Sequence, residues 1–524
     1  MSSPGHSVES DSRRWPALIV CLSAGFMTLL DITIVTVALP SMQHSLQLTP
    51  ADVSWSISGY ALTFGLVLVP AGRLGDEYGR RRIFLLGLLL FLVTGVLCGA
   101  APNATWLVVG RLFRGVAAGL LAPQVVGLIQ QMFPISERGK AFGFYGAMVA
   151  ISTAIGPLLG GVILQVFGLA EGWRYVFYLF VPLNLLALLF GYRVLPKDRR
   201  AGERRALDLV GAALLGLSVL SIMLPLIQAS GAPAGRRWWL MGVGIALLVP
   251  FALWENWLGT RGRHPLVNLK LLTIRSYSVG TLVATIFYAG FTGIFLVAAL
   301  FFQQGLKYSA LHAALATAIF AISSASCAIV SGRIVHRFGR KMVAAGCVAA
   351  ALGLGITALL VRDVTATNAV LVLAGPLFLA GCGSGFVIAP NQTLTLQEIP
   401  RAVGGTAAGV YQTGQRLGTA VGTALAGSLY FGELVRSHGD YHAAAALGLA
   451  GSATLVALTA LIGLVDIVRP VRQGATETEI GVTASPLASG HGQTSARHEP
   501  AAPESTHPRA RMSEFTGSDD VPRK

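Results

Sequence analysis

Long apolar segments separated by short polar breaks occupy most of the chain. Each is close to the length of about 20 residues that a helix needs to cross a bilayer. They predict about 14 spanning helices, at residues 15–39, 53–71, 83–101, 105–132, 141–168, 174–192, 208–229, 238–257, 277–302, 309–331, 342–361, 367–396, 405–431 and 442–468. All eight tryptophans fall near span ends, where amphipathic rings prefer the membrane surface. The pattern therefore predicts an all-α integral membrane protein.

A short loop motif occurs twice in the chain. Residues 72–81, GRLGDEYGRR, follow the second span, and residues 332–341, GRIVHRFGRK, follow the tenth. If each copy follows the second helix of a six-helix bundle, two bundles repeat in parallel and helices seven and eight are an inserted pair. The predicted segments are a cytoplasmic tail at 1–14, a first bundle at 15–193, the inserted pair with its basic loops at 194–276, a second bundle at 277–468 and a cytoplasmic tail at 469–524.

Composition supports the membrane location and indicates no disulfide framework or metal site. Of the 524 residues, 53% are hydrophobic and only 12% are charged. The five cysteines all lie in apolar segments and have no metal-ligand spacing. The second tail has few large apolar side chains, so it cannot bury enough surface to fold and is predicted to be disordered.

The net charge of +15 is explained by the membrane segments rather than by nucleic-acid binding. Acidic and basic residues nearly cancel in the second tail, so the surplus belongs to the loops between spans. Lys and Arg cluster in alternate loops, at residues 80–82, 138–140, 193–205, 261–275 and 333–341. This is the positive-inside pattern. It predicts a multi-pass protein of the cell membrane with both termini in the cytoplasm.

One acidic side chain lies deep in the first span. Asp31 is roughly 20–24 Å along that helix at about 1.5 Å per residue, past the middle of the bilayer. A carboxylate at this depth costs on the order of 2.5–3.5 kcal/mol, so it should face the bundle interior or a wet cavity. Two roles stay open from the residue alone: a proton carrier, or an acid that only bonds a neighbouring helix.

Four motifs in order along the chain resemble those of one known family. They are Asp31 with the stretch ending Ala38-Leu39-Pro40, the loop at 72–81, Arg111-Leu-Phe-Arg-Gly115 on the fourth span, and Ala154-Ile-Gly156-Pro157-Leu-Leu-Gly160-Gly161 on the fifth. Together they resemble the major facilitator superfamily, and within it the 14-helix drug:proton antiporters. The sequence departs from that pattern at Arg114, where a glutamine is common, and at Thr36, where an asparagine is common.

The resemblance implies a role for each motif. It implies proton coupling by Asp31 and Arg111, and a seal against leak by Gly156, Pro157, Gly160 and Gly161. The loop charges themselves predict a conformational latch between the bundles, because Asp76 and Arg80 can pair with each other and with a helix end across the seam. The predicted latch residues are Gly72, Asp76, Gly79, Arg80, Arg81, Arg333, Arg337 and Arg340. Simpler roles stay open: Arg111 could bond only backbone carbonyls, and the basic loops could serve only as a topology signal.

Polar and aromatic side chains deep in the spans are candidates for a substrate cavity. They are Tyr60, Gln124, Tyr145, Tyr288, Asn391, Gln392, Tyr411 and Gln412, each of which could equally make a helix–helix bond. Gln415 and Arg416 also lie deep, in a stretch that resembles a packing or gating pattern of the family's thirteenth helix.

These features favour proton-coupled efflux of small lipophilic or amphipathic compounds such as drugs, antibiotics or dyes. A single embedded acid suits neutral or monovalent cargo, and a lipid or an endogenous metabolite is the alternative. A receptor or membrane enzyme is disfavoured because the sequence has no phosphate-binding loop, metal cluster or Ser/His/Asp arrangement. We expect a non-enzymatic, monomeric protein in the lipid bilayer that uses protons and a small-molecule substrate, with no cofactor beyond the proton gradient.

Overall fold

The computed structural model describes residues 13–168, 170–198, 208–228 and 237–468, and within these ranges it contains helices and no strands. The helices are α1 Arg14–Leu46, α2 Pro50–Tyr78, α3 Arg80–Gly99, α4 Ala104–Met132, α5 Ile135–Phe167, α6 Gly172–Tyr178, α7 Phe180–Val194, α8 Leu209–Gln228, α9 Trp239–Thr260, α10 Arg275–Leu300, α11 Ala310–Phe338, α12 Arg340–Leu360, α13 Ala369–Thr395, α14 Gly404–Arg436 and α15 Tyr441–Val468. The predicted second tail and most of the first lie outside the described residues.

The described residues contain 13 stretches that are long and apolar enough to cross a membrane. The span predicted at 174–192 is two helices, α6 and α7, which break at Leu179 and together form one of the 13 stretches. The helix that falls outside this set is α14, whose 33 residues include many glycines and several polar side chains. It is nevertheless mostly buried on one face. The all-α membrane fold predicted from the sequence is confirmed.

The helices form two halves that meet along a seam. In the first half α2 packs on α4 and α1 packs on α5, while in the second half α11 packs on α13 and α10 packs on α14. The halves touch mainly where α5 meets α11 and where α2 meets α14. We call the end of the bundle that carries Arg80, Lys140 and Arg340 the basic face. The loops after α2, α4, α11 and α13 all lie there, because successive helices alternate in direction.

Small residues close the seam near the basic face. A Cβ on Gly332 of α11 would lie 2.3 Å from the carbonyl oxygen of Gly139 on α5, so the two backbones touch directly. An alanine cluster continues this contact toward the middle of the bundle, at positions 147, 150, 325, 328 and 389. These glycine and alanine contacts close the structure at its basic face. Among the described residues, α1 has no extended contact with the second half.

The inserted pair α8 and α9 packs against the seam. The Ser218 hydroxyl donates to the carbonyl oxygen of Gly244 at 2.6 Å and joins the two helices. Apolar side chains of α8 pack on α2 and α14 together, so this helix contacts both halves. At the basic end the Trp254 indole donates to Asp208 at 3.1 Å, and Glu255, only 2% exposed, accepts from the backbone N–H of Val267 at 3.1 Å. These bonds fix the hairpin beside the seam.

Candidate functional site

The Asp31 carboxylate forms two ion pairs in the interior of the first half. Asp31 is 0% exposed on α1, and its Oδ1 accepts from the Nε of Arg114 at 2.7 Å. Its Oδ2 accepts from Nη1 of Arg111. Arg111 and Arg114 are three residues apart on α4, so they lie on one face of that helix. We call these three residues the charged cluster.

The guanidinium of Arg111 is held from three sides. Its Nε donates to the carbonyl oxygen of Ser56 on α2 at 2.8 Å. It also lies over the ring of Tyr60 at 4.4 Å, and the hydroxyl of Tyr60 donates to the carbonyl oxygen of Thr28 at 2.8 Å. The ring, the backbone and the acid thus fix the orientation of Arg111. This residue bonds both the acid and a backbone carbonyl, the two roles left open by the sequence.

Arg114 is the member of the cluster whose role the sequence did not indicate. Its guanidinium lies over the ring of Phe91 at 3.9 Å and donates to the Phe91 carbonyl oxygen at 2.9 Å. A Cβ on Gly95 would lie 2.5 Å from its Nη1, so the glycine makes room for the side chain. The departure from glutamine therefore gives Asp31 a second cation. The cluster carries a net charge of +1, from two guanidinium groups and one carboxylate.

The glycines of the fifth-helix motif bring α5 against α1 next to the cluster. A Cβ on Gly156 would lie 1.9 Å from the hydroxyl oxygen of Thr33, two residues beyond Asp31. Gly160 faces the carbonyl oxygen of Ile34 one turn further along, at 3.2 Å from its ideal Cβ. Gly161 faces open space, and Pro157 is half-buried. The motif thus contains two packing glycines and one that does not pack.

We expect Gly156→Leu to push α1 away from α5. Because the Cβ position is already occupied by Thr33, overpacking should cost about 1–3 kcal/mol of stability and reduce export. The measurement is the thermal unfolding midpoint in detergent, together with efflux from cells. Gly161→Leu on the same helix is the matched comparison, since no atom of the described residues lies within 4 Å of the Cβ position of Gly161. Equal stability losses for the two variants would contradict the packing argument.

Asp76 joins the two halves at the basic face. It accepts from the backbone N–H of Gly405 at 2.9 Å and from the N–H and hydroxyl of Thr406 at 2.8 and 2.9 Å. It also pairs with Arg80 at 2.7 Å. Gly405 and Thr406 begin α14 of the second half, so a first-half carboxylate caps the positive end of a second-half helix. A Cβ on residue 72 would lie 2.2 Å from the Gly405 carbonyl oxygen, so this close contact between the halves requires a glycine at position 72.

Arg80 adds its own contact across the seam. Its Nη1 donates to the carbonyl oxygen of Gly127 in the first half, and its Nη2 donates to that of Arg401 in the second, both at 2.5 Å. Gly79 has φ +103°, a conformation that favours glycine. Arg81 donates its backbone N–H to Asp198 at 3.0 Å, within the first half. Of the predicted latch residues in the first copy, Gly72, Asp76 and Arg80 reach the second half.

The second copy of the loop is arranged differently. Arg340 donates to the side chain of Asn391 at 3.0 Å and to the carbonyl oxygen of Ser276 at 2.6 Å, both in the second half. Arg333 and Arg337 are exposed. The sequence repeat therefore does not give two equivalent latches. The position in the second copy that matches Asp76 is His336, which has no carboxylate to cap a helix.

The predicted cavity residues separate into two groups. Tyr145 and Gln412 line a small central cavity of about 20 Å³, enough for one water molecule. Its lining also includes Thr28, Phe64 and Arg416. The others lie elsewhere. Tyr60 lies beside Arg111 of the charged cluster, Gln124 donates to the carbonyl oxygen of Ala71, and Gln392 is buried in α13. Asn391 donates to the carbonyl oxygen of Gly280 and lies near Tyr411, and Tyr288 packs on Phe287 and Phe291.

Two repeated helix halves, the first of which contains a buried charged cluster, define a polytopic membrane transporter fold. A family model described as Major Facilitator Superfamily matches residues 21–423. The chain therefore belongs to the Major Facilitator Superfamily.

Curated relatives and a solved structure agree with this family. The chain is 35% identical to the probable actinorhodin transporter of Streptomyces coelicolor over 427 residues, which are 81% of this chain and 73% of the relative. It is 34% identical to the puromycin resistance protein pur8 of Streptomyces alboniger, over 79% of this chain and 81% of the relative. The fold is similar to that of the proton:xylose symporter XylE, with a TM-score of 0.63, 16% identity and coverage of 86% of this chain and 95% of that chain.

Proposed function

We propose that this protein exports small lipophilic or amphipathic compounds in exchange for protons. The observation that carries the proposal is Asp31, fully buried and paired with two arginines at the contact between α1 and α4. A carboxylate in the bundle interior is a natural proton site, and its charge decides how strongly the two helices are held together. The names of the relatives, a transporter of an antibiotic and a resistance protein, support export as the direction.

Proton uptake would be coupled to movement through the charged cluster. With Asp31 ionised, its two ion pairs hold α4 against α1. A proton on Asp31 removes the negative charge, leaves two cations facing each other and weakens that contact. The halves then rearrange about the seam, which alternates access to the central cavity. The basic face, closed in this structure, is the cytoplasmic side under the positive-inside rule. The structure then corresponds to a state closed to the cytoplasm.

Partners and location follow from this proposal. The protein acts as a monomer in the cell membrane with both described ends of the helical part on the cytoplasmic side. Exposed apolar side chains on the outer helices, such as Leu248 and Val249 of α9, contact lipid. Its only energy source is the proton gradient.

The test uses purified full-length protein in liposomes with an imposed pH difference. Puromycin and a fluorescent dye panel are the cargo. We expect cargo to move against its concentration gradient when protons flow the opposite way, with measurable proton movement that depends on cargo. Accumulation should occur without added ATP, and a protonophore should stop it. Cargo movement that only equilibrates, at the same rate with and without the pH difference, would contradict proton coupling, and movement of none of the cargo would contradict drug export.

A further inference from the structure

Arg416 lies at the centre of the molecule, and in the part of the chain that the structure describes it has no polar partner. It is half-buried on α14 and lines the central cavity, with its guanidinium over the ring of Phe64 at 4.2 Å. Among the described residues the structure gives Arg416 neither an ion pair nor a hydrogen bond. An unpaired guanidinium this deep in a membrane protein is costly. Its position at the cavity wall lets a bound molecule supply the missing partner.

The helices around the central cavity carry a net positive charge in their interiors, the same sign as Arg416. Away from the helix ends, the charged side chains of α1, α2, α4, α5, α10, α11 and α14 are Asp31, Arg111, Arg114 and Arg416. The two arginines of the charged cluster already occupy both oxygens of Asp31. No carboxylate in these described helix interiors is therefore left for Arg416. The region carries a net charge of +2 and favours an anion, because charges interact strongly where water is excluded.

The remaining cavity wall suits a flat aromatic molecule. Phe64 and Tyr145 present rings on which another ring can stack. Gln412, also in the wall, is 4% exposed, and its Oε1 has no hydrogen-bond partner in the described part of the chain. A ligand hydroxyl or N–H group could donate to this oxygen, since leaving it unpaired is unfavourable.

We propose that the cavity, which holds about one water molecule in this closed structure, widens when the halves rearrange and then binds aromatic acids, with Arg416 holding their carboxylate or phenolate group. This inference rests on the proposed export function and names its substrate class. It narrows the neutral or monovalent lipophilic cargo expected from a single embedded acid to anions, since the two arginines of α4 outweigh the charge of that acid. The guanidinium binds the anion by charge-assisted hydrogen bonds, and the aromatic rings bind its apolar body.

A structural role for Arg416 makes a different prediction. Arg416 of the second half contacts Phe64 of the first, so it could simply help to join the halves. Replacing it would then weaken binding of every cargo by a similar factor. A substrate-binding role instead changes the preference between anions and cations. The two roles are separated by comparing probes of similar shape and opposite charge.

The experiment measures binding of two xanthene dyes to purified protein in lipid nanodiscs: anionic carboxyfluorescein and cationic rhodamine 6G. We expect Arg416→Gln to weaken carboxyfluorescein binding roughly 10- to 100-fold, as for loss of a hydrogen bond to a charged group, and to leave or improve rhodamine binding. Arg416→Lys should retain part of the anion affinity. Arg436→Gln is the control on the same helix, because Arg436 is exposed and paired with Glu433.

Each outcome bears on the proposal. Wild-type protein that does not bind carboxyfluorescein, or an Arg416→Gln variant that loses both dyes equally, overturns the anion site. Transport of rhodamine 6G but not carboxyfluorescein by wild-type protein in the liposome assay also overturns it while leaving export intact. Gradient-independent equilibration of both dyes contradicts the proposed antiport itself, whatever the dye preference.

Discussion

Asp31→Asn is expected to abolish export driven by a proton gradient and to lower the thermal unfolding midpoint. The reason is that asparagine leaves Arg111 and Arg114 buried and facing each other without an anion. Breaking a buried ion pair by removing one partner costs about 3–5 kcal/mol. The measurements are Tm in detergent and cargo accumulation in liposomes with an imposed pH difference. Loss of function in this variant alone would not separate a failed fold from a failed proton site.

A second variant makes that separation. Asp31→Asn combined with Arg114→Gln removes one charge of each sign, so the cluster keeps its net charge of +1. We expect the double variant to recover most of the lost stability but none of the gradient-driven accumulation, because the acid to which proton coupling is assigned is gone. Glu171→Gln is the control, since Glu171 is exposed and paired with Arg174 outside the cluster. Full accumulation by the double variant would refute the assignment of proton coupling to Asp31.

The fold could be predicted from the sequence because the pattern that determines it, long apolar segments, is strong and local. Apolar segments of spanning length predict helices wherever they occur, and the repeated loop predicts two halves. The sequence also predicts α14, at 405–431, although its glycines and polar residues lower its hydropathy. Those glycines are needed because α14 packs closely on other helices: a Cβ on Gly418 would lie 2.0 Å from the Thr285 carbonyl oxygen. Tertiary contact, rather than hydrophobicity, explains the composition of this helix.

The candidate site was harder to predict from the sequence, because the side chains that pair in it come from different helices. Asp31 is conspicuous in sequence as a charge within an apolar segment, and Arg111 is conspicuous by its motif. Arg114 was only a departure from that motif. Its pairing with the acid depends on how α1 packs on α4, which no residue spacing reveals. The same holds for Arg416, because only its place in the structure shows that no described residue gives it a polar partner.

The repeat also predicted more symmetry than the structure has. Both loop copies carry a leading glycine at the seam, Gly72 and Gly332, and both glycines touch backbone of the other half. The charged residues behave differently. Asp76 caps a helix of the other half, whereas Arg340 bonds within its own half. Sequence repeats preserve backbone contacts that need small residues, but the polar contacts depend on single side chains that differ between the copies.

Asp76→Asn is expected to open the basic face. The carboxylate accepts two backbone N–H groups and a hydroxyl at the start of α14, and it pairs with Arg80. An amide is neutral and offers one acceptor oxygen, so most of these contacts are lost. A loss of about 3 kcal/mol shifts the ratio of closed to open states on the order of a hundredfold. Export should fall because the protein no longer returns efficiently to the state closed at this face.

The shift can be measured as a distance between spin labels at Ser136 and Lys341, exposed residues on opposite sides of the seam at the basic face. The five native cysteines are replaced first. Asp76→Asn should move the distribution toward longer distances. Glu77→Gln is the matched control, because Glu77 pairs with Arg73 on its own helix. If Glu77→Gln produces the same shift, the effect comes from local charge. If Asp76→Asn produces none, this carboxylate does not hold the halves together, and the glycine contacts with the Arg80 bond to Arg401 are enough to close the basic face.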